Sequence, residues 1–281
     1  MIKNILTRVA SGSVYVALIV LSLLLLDHSP ITYWIVFSAI IVLGIKEIND
    51  MTDTGEPTSW LIMLLDMLGG VAVFFAFYLE GDPAVKHHLW LLPPCVYIVL
   101  RLILQLYRPQ LNALTSIQRS LFAVCYVAVP IGLLNVIASI TAPRMLLALF
   151  TFIWINDTGA FLVGVALGRH RLFQRISPKK SWEGFFGGLL ACIGAAFAID
   201  KWFNDIYQVP DLTLWVGLSV VVSIAATFGD LVESLFKRTA GVKDSGKLMP
   251  GHGGILDRVD SLLMVAPAVL IYLILMFYNQ G

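Results

Sequence analysis

Charge is what this sequence has least of. Asp, Glu, Lys and Arg make up 13% of the 281 residues, against 58% hydrophobic residues, where a soluble globular chain carries roughly a quarter charged residues. A shortfall of that size excludes a soluble core of any shape. Cysteine is scarce too. Cys95, Cys125 and Cys192 each lie in an apolar run, at spacings that fit no metal motif, so they read as small packing residues and not as a disulfide framework or a zinc site. There is no low-complexity tract and no convincing internal repeat, and many transporters carry repeats. The net charge of +1 says nothing by itself about a polyanionic partner, and no nucleic-acid partner is expected.

What fills the chain is apolar runs. Mean hydropathy is +0.85. A membrane-spanning helix needs about 20 mostly apolar residues, and about nine stretches qualify, near 9–26, 31–48, 59–79, 88–107, 121–140, 145–167, 184–203, 212–235 and 259–278. They are too long and too unalternating for barrel strands, and lipid admits only helices or closed barrels. The expected fold is therefore an all-α polytopic membrane bundle. Pro93-Pro94 and Arg101 interrupt the fourth run. The first could be a signal peptide, but no small-residue cleavage site follows it, and we read it as a retained span.

Orientation follows from the bases. With a cytoplasmic N-terminus, every Lys and Arg except Lys86, Arg101, Arg144 and Lys201 falls on the cytoplasmic side, as the positive-inside rule requires. Residues 1–140 hold about five spans joined by short, ordinary loops. Residues 141–281 hold about four, with polar residues inside the spans and two long basic cytoplasmic loops; this second region is the expected catalytic one.

Ionisable groups within spans are functional candidates by default. Asp66 is either such a group or an acid paired with something like Arg101. Asp157 follows Asn156 and precedes Thr158-Gly159, a polar break in its span. Asp230, Glu233, Ser234 and Lys237 fall at i, i+3, i+4 and i+7, one stripe of a helix. Asp230 sits below the headgroups and needs a cation, either a metal ion or a lysine.

The richest segment follows. Lys237, Arg238, Lys243, Lys247 and Arg258 supply charge suited to phosphate oxygens. Gly251, Gly253 and Gly254 allow close backbone approach and lead into the last helix, whose N-terminal amides favour an anion. Asp244, Asp257 and Asp260 supply hard oxygens suited to magnesium. A topogenic loop would explain the bases alone, but not the carboxylates, the glycines or His252. The combination suits a metal–polyphosphate complex. In the other basic loop, Ser177-Pro178-Lys179-Lys180 and Glu183-Gly184 stand among Arg169, Arg171 and Arg175. Topology and anionic-lipid binding both account for it. Gly184 and Gly188 suit close helix packing.

These residues resemble a known family. Ser234-Leu235-Phe236-Lys237-Arg238, then Lys243-Asp244, then His252-Gly253-Gly254-Ile255-Leu256-Asp257-Arg258-Val259-Asp260 is similar to the signature of the phosphatidate cytidylyltransferases, or CDP-diacylglycerol synthases. Asn156-Asp157 and Ser177–Gly184 resemble the same family's other motifs. Met249 departs from the Leu, Ile or Phe that is commoner there.

The resemblance implies transfer of CMP from CTP to phosphatidic acid, with Mg2+ as cofactor and a second cation left open. It also implies a helical fold in the cell (inner or plasma) membrane, often a homodimer, with a polar cavity facing the cytoplasm. By the motif match, Asp230 and Asp257 are the metal aspartates. Asp157, Lys237, Arg238, Lys243, Asp244, His252, Asp257, Arg258 and Asp260 are expected in catalysis, with His252 donating to a phosphate or steadying the loop. Ser177, Lys179, Lys180, Glu183, Ser234, Gly253 and Gly254 are expected at the substrates. A transporter for a phosphorylated solute, a CTP-dependent lipid kinase and a paralogue acting on another lipid phosphate are the competing readings.

Overall fold

Apolar segments in lipid have no water for their amides and carbonyls, so each closes its hydrogen bonds within a helix. The computed structural model describes residues 2–52, 58–80, 88–108, 112–203, 207, 211–249 and 253–278, leaving aside the side chains of residues 2–10 and 278. The helices are α1 (Ile2–Leu24), α2 (Ile31–Met51), α3 (Trp60–Glu80), α4 (Leu92–Leu106), α5 (Ala113–Ala123), α6 (Val129–Ile140), α7 (Pro143–Leu167), α8 (Trp182–Trp202), α9 (Leu212–Thr239) and α10 (Leu256–Tyr278). Among the described residues, eight helical runs are long and apolar enough to cross a membrane, counting α5 to α6 as one, and α1 adds a shorter apolar stretch, Ser11–Leu24. The protein is an all-α polytopic membrane protein.

Two details differ from a plain reading of hydropathy. Pro93 and Pro94 do not break the fourth span. They sit in the first turn of α4, where a missing N–H would have had no intrahelical partner anyway. The fifth run starts earlier than expected, at Ala113, and passes through a π-helical turn, Val124–Ala128. That turn comes just before Pro130, whose ring cannot fit beneath a regular i−4 carbonyl.

The chain divides into two compact units, residues 1–140 with 240–259 and residues 141–239 with 260–281. In the first, a buried polar cluster joins α3, α4 and α5. Asp66 is 0% exposed and Arg101 1%. Asp66 accepts hydrogen bonds from Tyr97 Oη at 3.0 Å and Ser120 Oγ at 2.7 Å. Arg101 Nε lies 3.7 Å from Asp66 Oδ1 and donates to Ser120, while its other nitrogens donate to Gln105 and Ser116. Asp66 is therefore the partnered acid, with Arg101 as its cation. Burying two charges is tolerable only when both are paired and hydrogen-bonded.

In the second unit α8 packs along α7 and α9. Gly188 makes this close: a Cβ there would lie 2.6 Å from Asn156 Oδ1. The basic loop between α7 and α8 is an antiparallel hairpin of β1 (Arg171–Phe173) and β2 (Ser177–Ser181). Strand β2 runs straight into α8, whose N-cap Ser181 accepts from Gly184 N–H at 3.1 Å.

Candidate functional site

The stripe predicted on α9 forms. Glu233, Ser234 and Lys237 are buried and Asp230 is half-buried. Lys237 pairs with Glu233 one turn away. Ser234 Oγ donates to Asp230 Oδ1 at 3.1 Å. The cation beside Asp230 is a lysine: Lys180 Nζ, from β2, lies 2.8 Å from Asp230 Oδ2 and donates to the Thr227 carbonyl at 3.2 Å.

Gly229 lets α9 touch the backbone of α10, since a Cβ there would sit 2.8 Å from the Asp260 carbonyl oxygen. The approach is clasped by Ser261 Oγ, which donates to the Ala226 carbonyl at 3.2 Å. As a result one carboxylate oxygen each from Asp230, Glu233 and Asp260 all lie within 4.8 Å of one another. Hard oxygens at that spacing suit magnesium, and their shared negative charge favours a cation among them. Asp260 Oδ1 also accepts from Ser261 N–H at 2.6 Å. Asp157 is exposed on α7 and its charge bears on Asp260. The preceding residue, Asn156, is buried and accepts from Ser223 Oγ at 2.7 Å.

The hairpin residues take different parts. Lys179 is exposed, Ser177 half-buried. Glu183 closes the base of the hairpin: its carboxylate accepts from the N–H groups of Arg169 and His170 and lies 2.6 Å from His170 Nδ1. Arg238 is exposed at the end of α9.

The glycine-rich segment belongs to the first unit and is held by two carboxylates. Asp257 Oδ2 accepts from the N–H groups of Gly254 and Ser245 at 2.8 and 3.0 Å, and lies 3.1 Å from Ser245 Oγ. Gly253 has φ +82°, a left-handed conformation that suits glycine. Its carbonyl accepts from Met249 N–H at 2.9 Å. The second carboxylate is Glu47, buried on α2. Its oxygens accept from Ile255 N–H at 2.8 Å, Leu256 N–H at 2.9 Å and Ser245 Oγ at 2.8 Å. The anion at the start of α10 is thus the protein's own. Lys243, Asp244, Lys247 and Arg258 are exposed; His252 and Gly251 lie outside the described residues. Glu47 escaped the reading of the sequence, although it falls inside the second predicted span, where any acid is a candidate.

Apolar spans carrying three convergent carboxylates, one buried and two half-buried, with two lysine partners define a polytopic membrane protein with an ionic site on its helices. The chain belongs to the cytidylyltransferase family: that family's sequence model matches residues 6–276. A phosphatidate cytidylyltransferase of Haemophilus influenzae is 31% identical over 284 residues, covering 92% of this chain and 95% of that protein. One of Staphylococcus epidermidis is 46% identical over 131 residues, covering 47% of this chain and 49% of that protein, and one of Staphylococcus aureus is 46% identical over 127. The staphylococcal matches span about half the length of those relatives.

Proposed function

We propose that the protein is a phosphatidate cytidylyltransferase, converting CTP and phosphatidic acid to CDP-diacylglycerol and pyrophosphate. The observation that carries this reading is the convergence of Asp230, Glu233 and Asp260 beside Lys180 and Lys237 in a chain of the cytidylyltransferase family. A phosphate oxygen of phosphatidic acid attacks the α-phosphorus of CTP in line. The bond from that phosphorus to the bridging oxygen breaks, and pyrophosphate leaves with the electron pair. No covalent enzyme intermediate is needed, so positioning and charge neutralisation do the work.

Asp230, Glu233 and Asp260 are the residues we assign to holding magnesium; a metal role for Asp257 rests on the motif match alone. When bound, the metal would supply positive charge against phosphate oxygens. Lys180 pairs with Asp230 and Lys237 with Glu233, and each lysine orients its carboxylate. Lys243, Lys247, Arg238 and Arg258 take phosphate oxygens of CTP, and Asp244 orients those bases. Lys179 draws in the lipid headgroup. The charge distribution supports an N-terminus and active site facing the cytoplasm, where CTP is found, in the inner or plasma membrane. A homodimer accompanies this reading by resemblance.

The test uses purified protein in detergent with phosphatidate, magnesium and CTP labelled at the α-phosphate. We expect label in the lipid fraction, pyrophosphate released, and both blocked by EDTA. A parallel reaction with CTP labelled at the γ-phosphate separates a lipid kinase, which alone would put that label into lipid. No label in lipid from a folded sample would remove phosphatidate as the substrate.

A further inference from the structure

We infer that Glu47, on α2, is a positioning residue for nucleotide binding: it fixes Ser245 and the Ile255–Leu256 backbone, and with Ser245 the placement of Lys243 and Lys247. This rests on the functional reading above, in which those lysines meet CTP.

Glu47 is 5% exposed in the first unit. A carboxylate there is tolerable only if its oxygens are satisfied. The donors are drawn from the two ends of the loop: Ser245 Oγ at its start, and the N–H groups of Ile255 and Leu256 at its close. One side chain therefore ties both ends to α2. The Ser245 hydroxyl lies between Glu47 Oε2 and Asp257 Oδ2, and its single hydrogen serves one of them at a time. The loop is built around the carboxylate. A Cβ on Gly246 would lie 2.5 Å from Glu47 Oε1, and one on Gly254 would overlap Oε2.

A consequence for recognition follows. Gly254, Ser245, Ile255 and Leu256 all spend their amides on Asp257 or Glu47. A glycine-rich turn at a helix start ordinarily offers such amides to phosphate. Here the place of that anion is taken, and the loop meets its ligand through the side chains it carries outward, Lys243 and Lys247. Glu47 fixes where those side chains start.

The experiment compares wild type with Glu47→Gln and Gly246→Ala in detergent. It reads thermal unfolding, hydrogen exchange at Ile255 and Leu256, the Kd for CTP with magnesium, and KM for each substrate. Glutamine has the same size, but its amide N–H2 faces one of the donors. Glu47→Gln should fold, lower the melting temperature by only a few degrees and speed exchange at Ile255 and Leu256. It should weaken CTP binding at least about tenfold, the effect of one unsatisfied buried hydrogen bond, while KM for phosphatidate stays within about twofold. Gly246→Ala, which presses on the same carboxylate, should give the same split. Wild-type CTP affinity in both variants would overturn the inference. So would equal losses for both substrates that track the folded fraction. A wild-type protein that binds CTP but transfers no label would sink the functional reading alone, leaving the Kd and exchange comparisons to judge Glu47. A wild type that does not bind CTP would overturn both.

Discussion

Lys180 Nζ sits 2.8 Å from Asp230 Oδ2, which ties a strand of the basic hairpin to the acidic stripe of α9. Removing the lysine leaves a half-buried carboxylate without its organic cation. Lys180→Ala is expected to lower turnover by about 10²-fold, in the range seen when one preorganised charge is lost from an active site. Lys180→Arg should recover part of it. The α-labelled CTP assay measures both, and turnover unchanged in Lys180→Ala would make the pair a packing contact only.

Metal dependence is the next expectation. EDTA should abolish transfer and added magnesium should restore it. Asp260→Asn removes one of the three converging charges while keeping the side chain's size. It should raise the magnesium concentration needed for half-maximal rate by about 10–100-fold, the scale of losing a supporting group at a metal site. A magnesium titration of the variant checks this.

Asp257 is placed to separate two roles. Asparagine keeps an acceptor oxygen for the N–H groups of Gly254 and Ser245 but loses the charge. Asp257→Asn is expected to fold and to lose at least about 100-fold in turnover. Near-normal activity would strike Asp257 from the metal ligands and leave it as a holder of the loop.

The Asp66–Arg101 cluster should matter for stability and not for chemistry. Asp66→Leu or Arg101→Leu strands one buried charge and should cost about 3–5 kcal/mol. The double leucine variant should cost clearly less than the sum of the two. Unfolding of the four proteins in detergent, treated as a double-mutant cycle, measures the coupling.

Much of this was legible before any coordinates. Hydropathy located the spans because lipid leaves the backbone few alternatives. The i, i+3, i+4, i+7 spacing placed Asp230, Glu233, Ser234 and Lys237 on one face because helical geometry is periodic. Asp66 could be matched to Arg101 because few ionisable residues lie within the spans. The hairpin was hidden: strands of three and five residues, crowded with bases, show no alternation. The partner of Asp230 was reduced to metal or lysine, but nothing local selects Lys180. Glu47 was the hardest, because its partners include backbone amides, which every residue other than proline has and which therefore leave no mark in the sequence.

Glu47 also sets an order of events in making the protein. It is synthesised early, yet its three donors lie 198, 208 and 209 positions further along the chain. Chains are made from the N-terminus, and long-range contacts form late. The second helix must therefore enter the bilayer before any of those donors exists, so a truncated product ending ahead of Ser245 could hold most of its spans and still lack the finished loop.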